Sequence, residues 1–505
     1  MYKIFRGFPL VEAYQDLKKA KRLAESQAVA RCIKLVIAIT ISLTLWLLPT
    51  EAFGISNLTI IEQRLISIFI FATLMWVFEA VPAWTTSVLI VVLLLLTVSD
   101  SSLWLFVQGI PTEELGQTVK YKSIMHCFAD PIIMLFIGGF ILAIAATKSN
   151  LDVLLARVML KPFGTQSRYV LLGFILVTAV FSMFLSNTAT AAMMLTFLTP
   201  VLKVLPADGK GKTGLAMAIP VAANIGGMGT PIGTPPNAIA LKYLNDPEGL
   251  NLNIGFGEWM GFMLPYTMIV LFIAWFILLK LFPFKQKSIE LQIEGEAKRD
   301  WRSIVVYITF AITVLLWMFD KFTGVNSNVV AMIPVAVFCI TGVITKRDLE
   351  EISWSVLWMV AGGFALGVAL QETGLAKHMI ESIPFNTWPP VLMIIGSGLI
   401  CYAMANFISH TATAALLVVP ILAIAGSSMR ENLSALGGVE TLLIGVAIGS
   451  SLAMILPIST PPNALAHATG MIQQKDMEKV GIIMGIVGLI LGYTMLIILG
   501  SHKML

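Results

Sequence analysis

Three phrases occur twice in this chain, each set within apolar sequence. Gly138-Gly139-Phe140 returns as Gly362-Gly363-Phe364. Ser186-Asn187-Thr188-Ala189-Thr190-Ala191-Ala192 returns as Ser409-His410-Thr411-Ala412-Thr413-Ala414-Ala415. Thr234-Pro235-Pro236-Asn237-Ala238-Ile239-Ala240 returns as Thr460-Pro461-Pro462-Asn463-Ala464-Leu465-Ala466. The offset stays between 223 and 226 residues throughout, which marks a duplicated structural unit. Copies kept only as scaffold would match in their apolar residues. Here Ser, Thr and Asn match, which points to function.

The surrounding sequence sets the medium. Of 505 residues 57% are hydrophobic and only 12% are charged, about half the charge a soluble domain carries on its surface. Runs such as Leu35 to Leu48 and Val88 to Leu96 require a bilayer, so the expected fold is an all-α, multi-pass membrane protein. Hydropathy predicts about eleven crossings, at 31–49, 63–80, 84–99, 130–148, 214–241, 257–283, 302–319, 327–344, 355–371, 437–466 and 480–500. Two further apolar regions, 167–205 and 387–427, are broken by polar tripeptides and read as re-entrant hairpins. The first apolar run has no small-residue cleavage site after it and reads as a true span. A net charge of +4 spread along the loops excludes nucleic acid as a partner. Cys32, Cys127, Cys339 and Cys401 lie far apart and form neither a disulfide framework nor a metal cluster.

Charge sets the expected orientation. Lys3, Arg6, Lys18, Lys19, Lys21 and Arg22 crowd the N-terminus, and Lys148, Arg157, Lys161, Arg168, Lys285, Lys287, Lys298 and Arg299 fall on the same side. The positive-inside rule places that side, with the N-terminus, in the cytoplasm of a cell-membrane protein. The expected organisation is an amphipathic cytoplasmic segment (1–30), a first half (31–283), a cytoplasmic linker (284–301) and a second half (302–505). Five crossings separate corresponding points of the halves. An odd number gives them opposite topology, the pattern of transporters with a binding site at the membrane midplane.

The repeated phrases suit such a site. Ser186 and Ser409 are natural N-caps ahead of Ala-rich helix formers. Two helix N-termini meeting from opposite sides offer free N–H groups and positive dipole ends to an anion, with no basic side chain needed. Thr-Pro-Pro-Asn cannot be continuous helix, and unwinding there bares carbonyl oxygens, the hard ligands that Na⁺ prefers.

Ser-Asn-Thr-Ala-Thr-Ala-Ala and Gly-Thr-Pro-Pro-Asn-Ala, together with Trp76-Val77-Phe78-Glu79-Ala80-Val81-Pro82, resemble the divalent anion/sodium symporter family over roughly residues 30 to 500. The resemblance implies a scaffold and a mobile transport domain in a homodimer, moving dicarboxylates, tricarboxylates, sulfate or phosphate by an elevator-like motion with Na⁺. It assigns a first Na⁺ site to Ser182, Ser186, Asn187 and the carbonyl region at Gly233. It assigns substrate contacts to Ser186, Asn187, Thr188, Ser409, His410 and Thr411, with Thr234, Pro235, Thr460 and Pro461 lining the site. A second Na⁺ site would fall near Ser459, His410 and Ala405. There His410 replaces an expected Asn and Ala405 lacks the hydroxyl of its mate Ser182, so two oxygen ligands are missing. A protonated His410 supplies a positive charge in place of the ion; a neutral one only hydrogen-bonds substrate or backbone. The expected function is Na⁺-coupled transport of small divalent anions, C4-dicarboxylates first. Na⁺-independent dicarboxylate exchange, sulfate or phosphate transport, and an anion channel are the alternatives. The absence of a nucleophile–base pair in the sequence argues against an enzyme.

Overall fold

The computed structural model describes residues 9–502 except 56, 206–209, 248–249, 290–297, 377, 379–388, 416–429 and 435. Among these residues the secondary structure is helical, with two isolated bridges (Ser99 to Val119 and Gln166 to Ser288) and no strand. The main helices are α1 (Pro9–Leu47), α2 (Ile60–Phe78), α3 (Ala83–Thr97), α4 (Pro131–Lys148), α5 (Leu151–Leu160) and α6 (Ser167–Phe184). They continue with α7 (Asn187–Val204), α8 (Gly211–Gly227), α9 (Pro235–Leu244), α10 (Phe256–Leu281), α11 (Trp301–Met318) and α12 (Met332–Ile340). The series ends with α13 (Trp354–Glu372), α14 (Pro390–Ala405), α15 (Gly438–Ser451), α16 (Pro461–Ala468) and α17 (Gln474–Ser501).

Local sequence explains several boundaries. At the start of α2 the Thr59 hydroxyl accepts from the Glu62 amide while the Glu62 carboxylate accepts from the Thr59 amide, a reciprocal cap. Pro131 opens α4, where its missing N–H is harmless, and Asp130 accepts from the Ile132 amide at 2.9 Å. Glu79 closes α2 in the left-handed region (φ 46°), so the acidic residue of the Trp76 to Pro82 motif serves as a helix end.

Among the described residues eight helices are long and apolar enough to cross a membrane. Seven fall on expected crossings, in α1, α2, α4, α10, α11, α13 and α17; the eighth, α6, is the outgoing limb of the expected first hairpin. The other four expected crossings are short or interrupted. Helix α3 has fifteen residues, about 22 Å at 1.5 Å per residue, and 327–344 divides into Ser327–Val330 and α12. The spans expected at 214–241 and 437–466 both break at Thr-Pro-Pro-Asn, into α8 and α9 and into α15 and α16. The first hairpin is α6, a break at Leu185 and Ser186, and α7. The second has α14 as its outgoing limb and helix again at 410–415; its remainder to 427 lies outside the described residues.

The closest packing falls into two groups. In one, α1 packs on α2, α2 on α3, α3 on α13, and α4 on α12. In the other, α6 packs on α8, α14 on α15, α9 on α15, and α8 on α16 and α10. The duplicated Gly-Gly-Phe phrase serves the first group. A Cβ at Gly138 would lie 2.2 Å from the Ala331 carbonyl oxygen, and one at Gly362 only 2.6 Å from the Ser87 Cβ. Each glycine lets its helix touch a neighbour.

Candidate functional site

The hairpin tips form as their sequence suggests. Leu185 is extended, Ser186 is the N-cap of α7, and its hydroxyl accepts from the Ala189 amide at 3.2 Å. In the second half the Ser409 hydroxyl accepts from the Ala412 amide at 3.1 Å. Among the described residues no further side chain caps the first-turn amides of either helix start.

The two breaks are built alike. Thr234 and Thr460 are extended (φ −147° and −142°), and each is followed by two prolines at a helix start. The Asn237 amide donates to the carbonyls of Gly227, Met228 and Thr230 at 3.1, 3.1 and 2.8 Å. Its mate Asn463 donates to the carbonyls of Met454 and Leu456 at 2.9 and 3.0 Å, the positions equivalent to Met228 and Thr230. Each asparagine thus pins its unwound segment by the backbone carbonyls bared where the preceding helix ends. The Thr230 hydroxyl ties its break to the Met183 carbonyl, and in the second half the Ser459 hydroxyl does this to the Asn406 carbonyl at 2.9 Å. The packing is reciprocal too, since α9 of the first half lies on α15 of the second and α16 of the second on α8 of the first.

In the first half, oxygens converge between tip and break. The buried Ser182 hydroxyl lies 2.5 Å from Asn187 Oδ1 and 2.7 Å from the Ala223 carbonyl, one proton for two acceptors. Gly227 makes the room. A Cβ there would meet Asn187 Oδ1 at 2.7 Å and the Gly233 carbonyl at 3.0 Å, while a Cβ on Gly233 would strike the Gly227 carbonyl at 2.4 Å. A neutral, partly buried, oxygen-rich cluster of this kind suits a hard monovalent cation. The second half differs at each equivalent place: Ala405 for Ser182, His410 for Asn187, Ala453 for Gly227 and Ser459 for Gly233. There His410 Nε2 donates to the Ala453 carbonyl at 2.7 Å, and the Asn406 side chain accepts from the Ile455 amide at 2.8 Å.

A direct bond joins the halves. The Asn224 amide, 1% exposed, lies 3.2 Å from both Thr460 Oγ1 and Asn463 Oδ1. The contacts thus run from Asn187 through Gly227 and Asn224 to Thr460 and Asn463, then through the 453–456 break to His410. Thr188 and Pro461 are exposed; Ser186, Asn187, Ser409, His410 and Pro235 are half-buried; Thr234, Thr411 and Thr460 are buried. Ser182, Ala405, Gly233 and Ser459 are buried behind them. Sequence reasoning gave no role to Asn237, Asn463 or Asn224. The first two belong to a duplicated phrase, a signal that was present; Asn224 has Ser450 as its mate and left none. A cavity of about 1140 Å³ opens elsewhere, at the far end of α9, and contains the Lys242–Asp130 ion pair.

Paired hairpin tips set against paired helix breaks, in an all-α multi-pass chain, define a membrane transporter of two like halves. The chain belongs to the citrate transporter family, whose model matches residues 73–437. It is similar to an uncharacterised transporter of Haemophilus influenzae, 32% identical over 75% of this chain and 83% of that protein. It is also similar to the sodium-dependent dicarboxylate transporter SdcS of Staphylococcus aureus strain USA300, 30% identical over 84% of each. The family resemblance read from the three motifs agrees with these relatives, and they are transporters rather than enzymes.

Proposed function

We propose that this protein is a secondary active transporter that moves small divalent anions, C4-dicarboxylates first, in symport with Na⁺. One observation carries the reading: two capped hairpin tips lie against two unwound segments, and the first pair encloses the oxygens of Ser182, Asn187, Ala223 and Gly233. The tips at Ser186-Asn187-Thr188 and Ser409-His410-Thr411 hold the carboxylates by N–H and hydroxyl donors, with Thr234, Pro235, Thr460 and Pro461 as walls. Na⁺ sits between Ser182, Ser186, Asn187 and the Gly233 carbonyl, where its charge offsets that of the dianion. The S. aureus relative is named for sodium-dependent dicarboxylate transport, which supports the same ion and solute here. The group containing α6–α10 and α14–α17 carries the site past the other group in an elevator-like stroke, in a homodimer with a cytoplasmic N-terminus.

A second reading, Na⁺-independent dicarboxylate exchange, is favoured by one feature. His410 Nε2 satisfies the Ala453 carbonyl where a second Na⁺ would bind, and Ala405 offers no ligand. Uptake of labelled succinate into proteoliposomes separates the two. Symport requires accumulation that depends on an inward Na⁺ gradient and is competed by fumarate or malate more than by sulfate or phosphate. Stimulation by internal succinate without Na⁺ establishes exchange instead, and non-saturating downhill flux establishes a channel. His410→Asn, which restores the amide oxygen, is expected to make uptake more dependent on Na⁺; an unchanged sodium response removes the substituted-charge role of His410.

A further inference from the structure

Resting on that reading of the site, we infer that Asn224 is the positioning residue through which the first-half cation pocket sets the geometry of the second-half anion site. Asn224 stands at the junction of the two. The carbonyl of the preceding residue, Ala223, accepts from Ser182, the hydroxyl that also meets Asn187 Oδ1. The side chain of Asn224 reaches across the seam to Thr460 Oγ1 and Asn463 Oδ1, both at 3.2 Å. Those two atoms organise the second break. The Thr460 hydroxyl caps α16 by accepting from the Asn463 amide at 3.2 Å, and the Asn463 side chain holds the Met454 and Leu456 carbonyls. His410 is bonded one residue earlier, at Ala453. A cation that draws Ser182 and the Ala223 carbonyl toward itself therefore moves the donor that aligns the second half.

The mirror-image connection is missing, so the coupling is one-sided. The repeat places Ser450 where the first half has Asn224, and Asn237 where the second has Asn463. Ser450 Oγ and Asn237 Oδ1 are both fully buried, but no hydrogen bond joins them, and the Ser450 hydroxyl faces Cys401 instead. A serine side chain is shorter than an asparagine by one heavy-atom bond and leaves this second clasp unmade. The half with the intact cation pocket thus holds the half whose own cation ligands are replaced, while the reverse hold is absent. Neither Asn224 nor Ser450 lies among the residues assigned to carboxylate or Na⁺.

The test uses full-length protein in proteoliposomes with Asn224→Ser, which copies the residue already tolerated at the mate position, and Ser450→Asn, which supplies the missing clasp. In the wild type, raising Na⁺ is expected to lower the succinate KM. In Asn224→Ser the expected result is a KM raised about tenfold, the loss of roughly one hydrogen bond, that no longer responds to Na⁺. Na⁺ alone still raises the melting temperature of this variant in detergent, because the first pocket is intact. Ser450→Asn is expected to steepen the dependence of KM on Na⁺. Asn224→Ser with a wild-type Na⁺ response of KM overturns the inference. If that variant does not fold, an unchanged Na⁺ response in Ser450→Asn overturns it as well. Wild-type uptake that ignores Na⁺ altogether defeats the symport reading itself, a result seen before any variant is made.

Discussion

Asn237 and Asn463 show how much of this site depends on single side chains addressing backbone. Each is buried, and each spends its donor hydrogens on backbone carbonyls of the unwound segment that precedes it. A buried carbonyl without a partner costs about 1–3 kcal/mol. In Asn237→Ala the Met228 carbonyl keeps the Trp259 indole N–H and the Thr230 carbonyl keeps the Gly233 amide, so the Gly227 carbonyl is the one left without a donor, and the variant is expected to be destabilised by about 1–3 kcal/mol. Asn463→Ala also strips the Asn224 amide of one acceptor and is expected to cost about as much. Melting in detergent measures both. A wild-type melting temperature in Asn237→Ala means that other donors reach the loop, contrary to the role given to the side chain. The duplicated Asn was legible in the sequence as a residue that matters. Its target was not, because a donor aimed at backbone carbonyls leaves no second side chain to pattern against.

The element scale is where the sequence was read best and where its limits are clearest. Both helix–break–helix spans and the first hairpin follow from proline chemistry and capping, which are local, and the breaks fall on the residues that the prolines dictate. The shortness of α3 and the division of 327–344 did not follow, since apolar sequence continues past both and hydropathy registers composition rather than length of helix. The meeting of α7 with the end of α8 was also beyond the sequence alone. Asn187 and Gly227 are forty residues apart, and only the fold shows that a Cβ at Gly227 would sit 2.7 Å from Asn187 Oδ1. That approach makes Gly227 a gauge of the pocket. Gly227→Ala reproduces the alanine of the mate position 453, so the backbone tolerates it, but the added methyl group intrudes on Asn187 and the Gly233 carbonyl. The expected outcome is a folded protein in which Na⁺ stimulation of uptake falls at least tenfold. Full stimulation in the variant places the cation elsewhere.

For the molecule as a whole, an elevator-like stroke requires the two packing groups to slide past each other, and few polar contacts oppose this where α9 meets α4 and α13. The principal one joins Lys242 near the end of α9 to Asp130 at the start of α4, 2.6 Å apart with side chains 21% and 14% exposed. The same ammonium lies 3.5 Å from the centre of the Phe364 ring on α13, so one lysine just beyond the Thr-Pro-Pro-Asn break grips two helices of the opposite group. A partly buried pair with a ring face beneath it is worth on the order of 1–2 kcal/mol, between the values for exposed and fully buried pairs. If α9 travels relative to α4, the bond exists in one end state and not in the other, and it biases the conformational equilibrium by about tenfold. Lys242→Met alone leaves a stranded carboxylate, so the informative change is Lys242→Met with Asp130→Asn, which removes both charges and keeps an acceptor for the Ile132 amide. The double variant is expected to change the Vmax of uptake severalfold while the succinate KM on the accessible side stays within twofold, and raising salt should move the wild type toward the variant. An unaltered Vmax at low salt means that α9 and α4 move together, and the boundary between moving and static parts must then be drawn on the other side of α4.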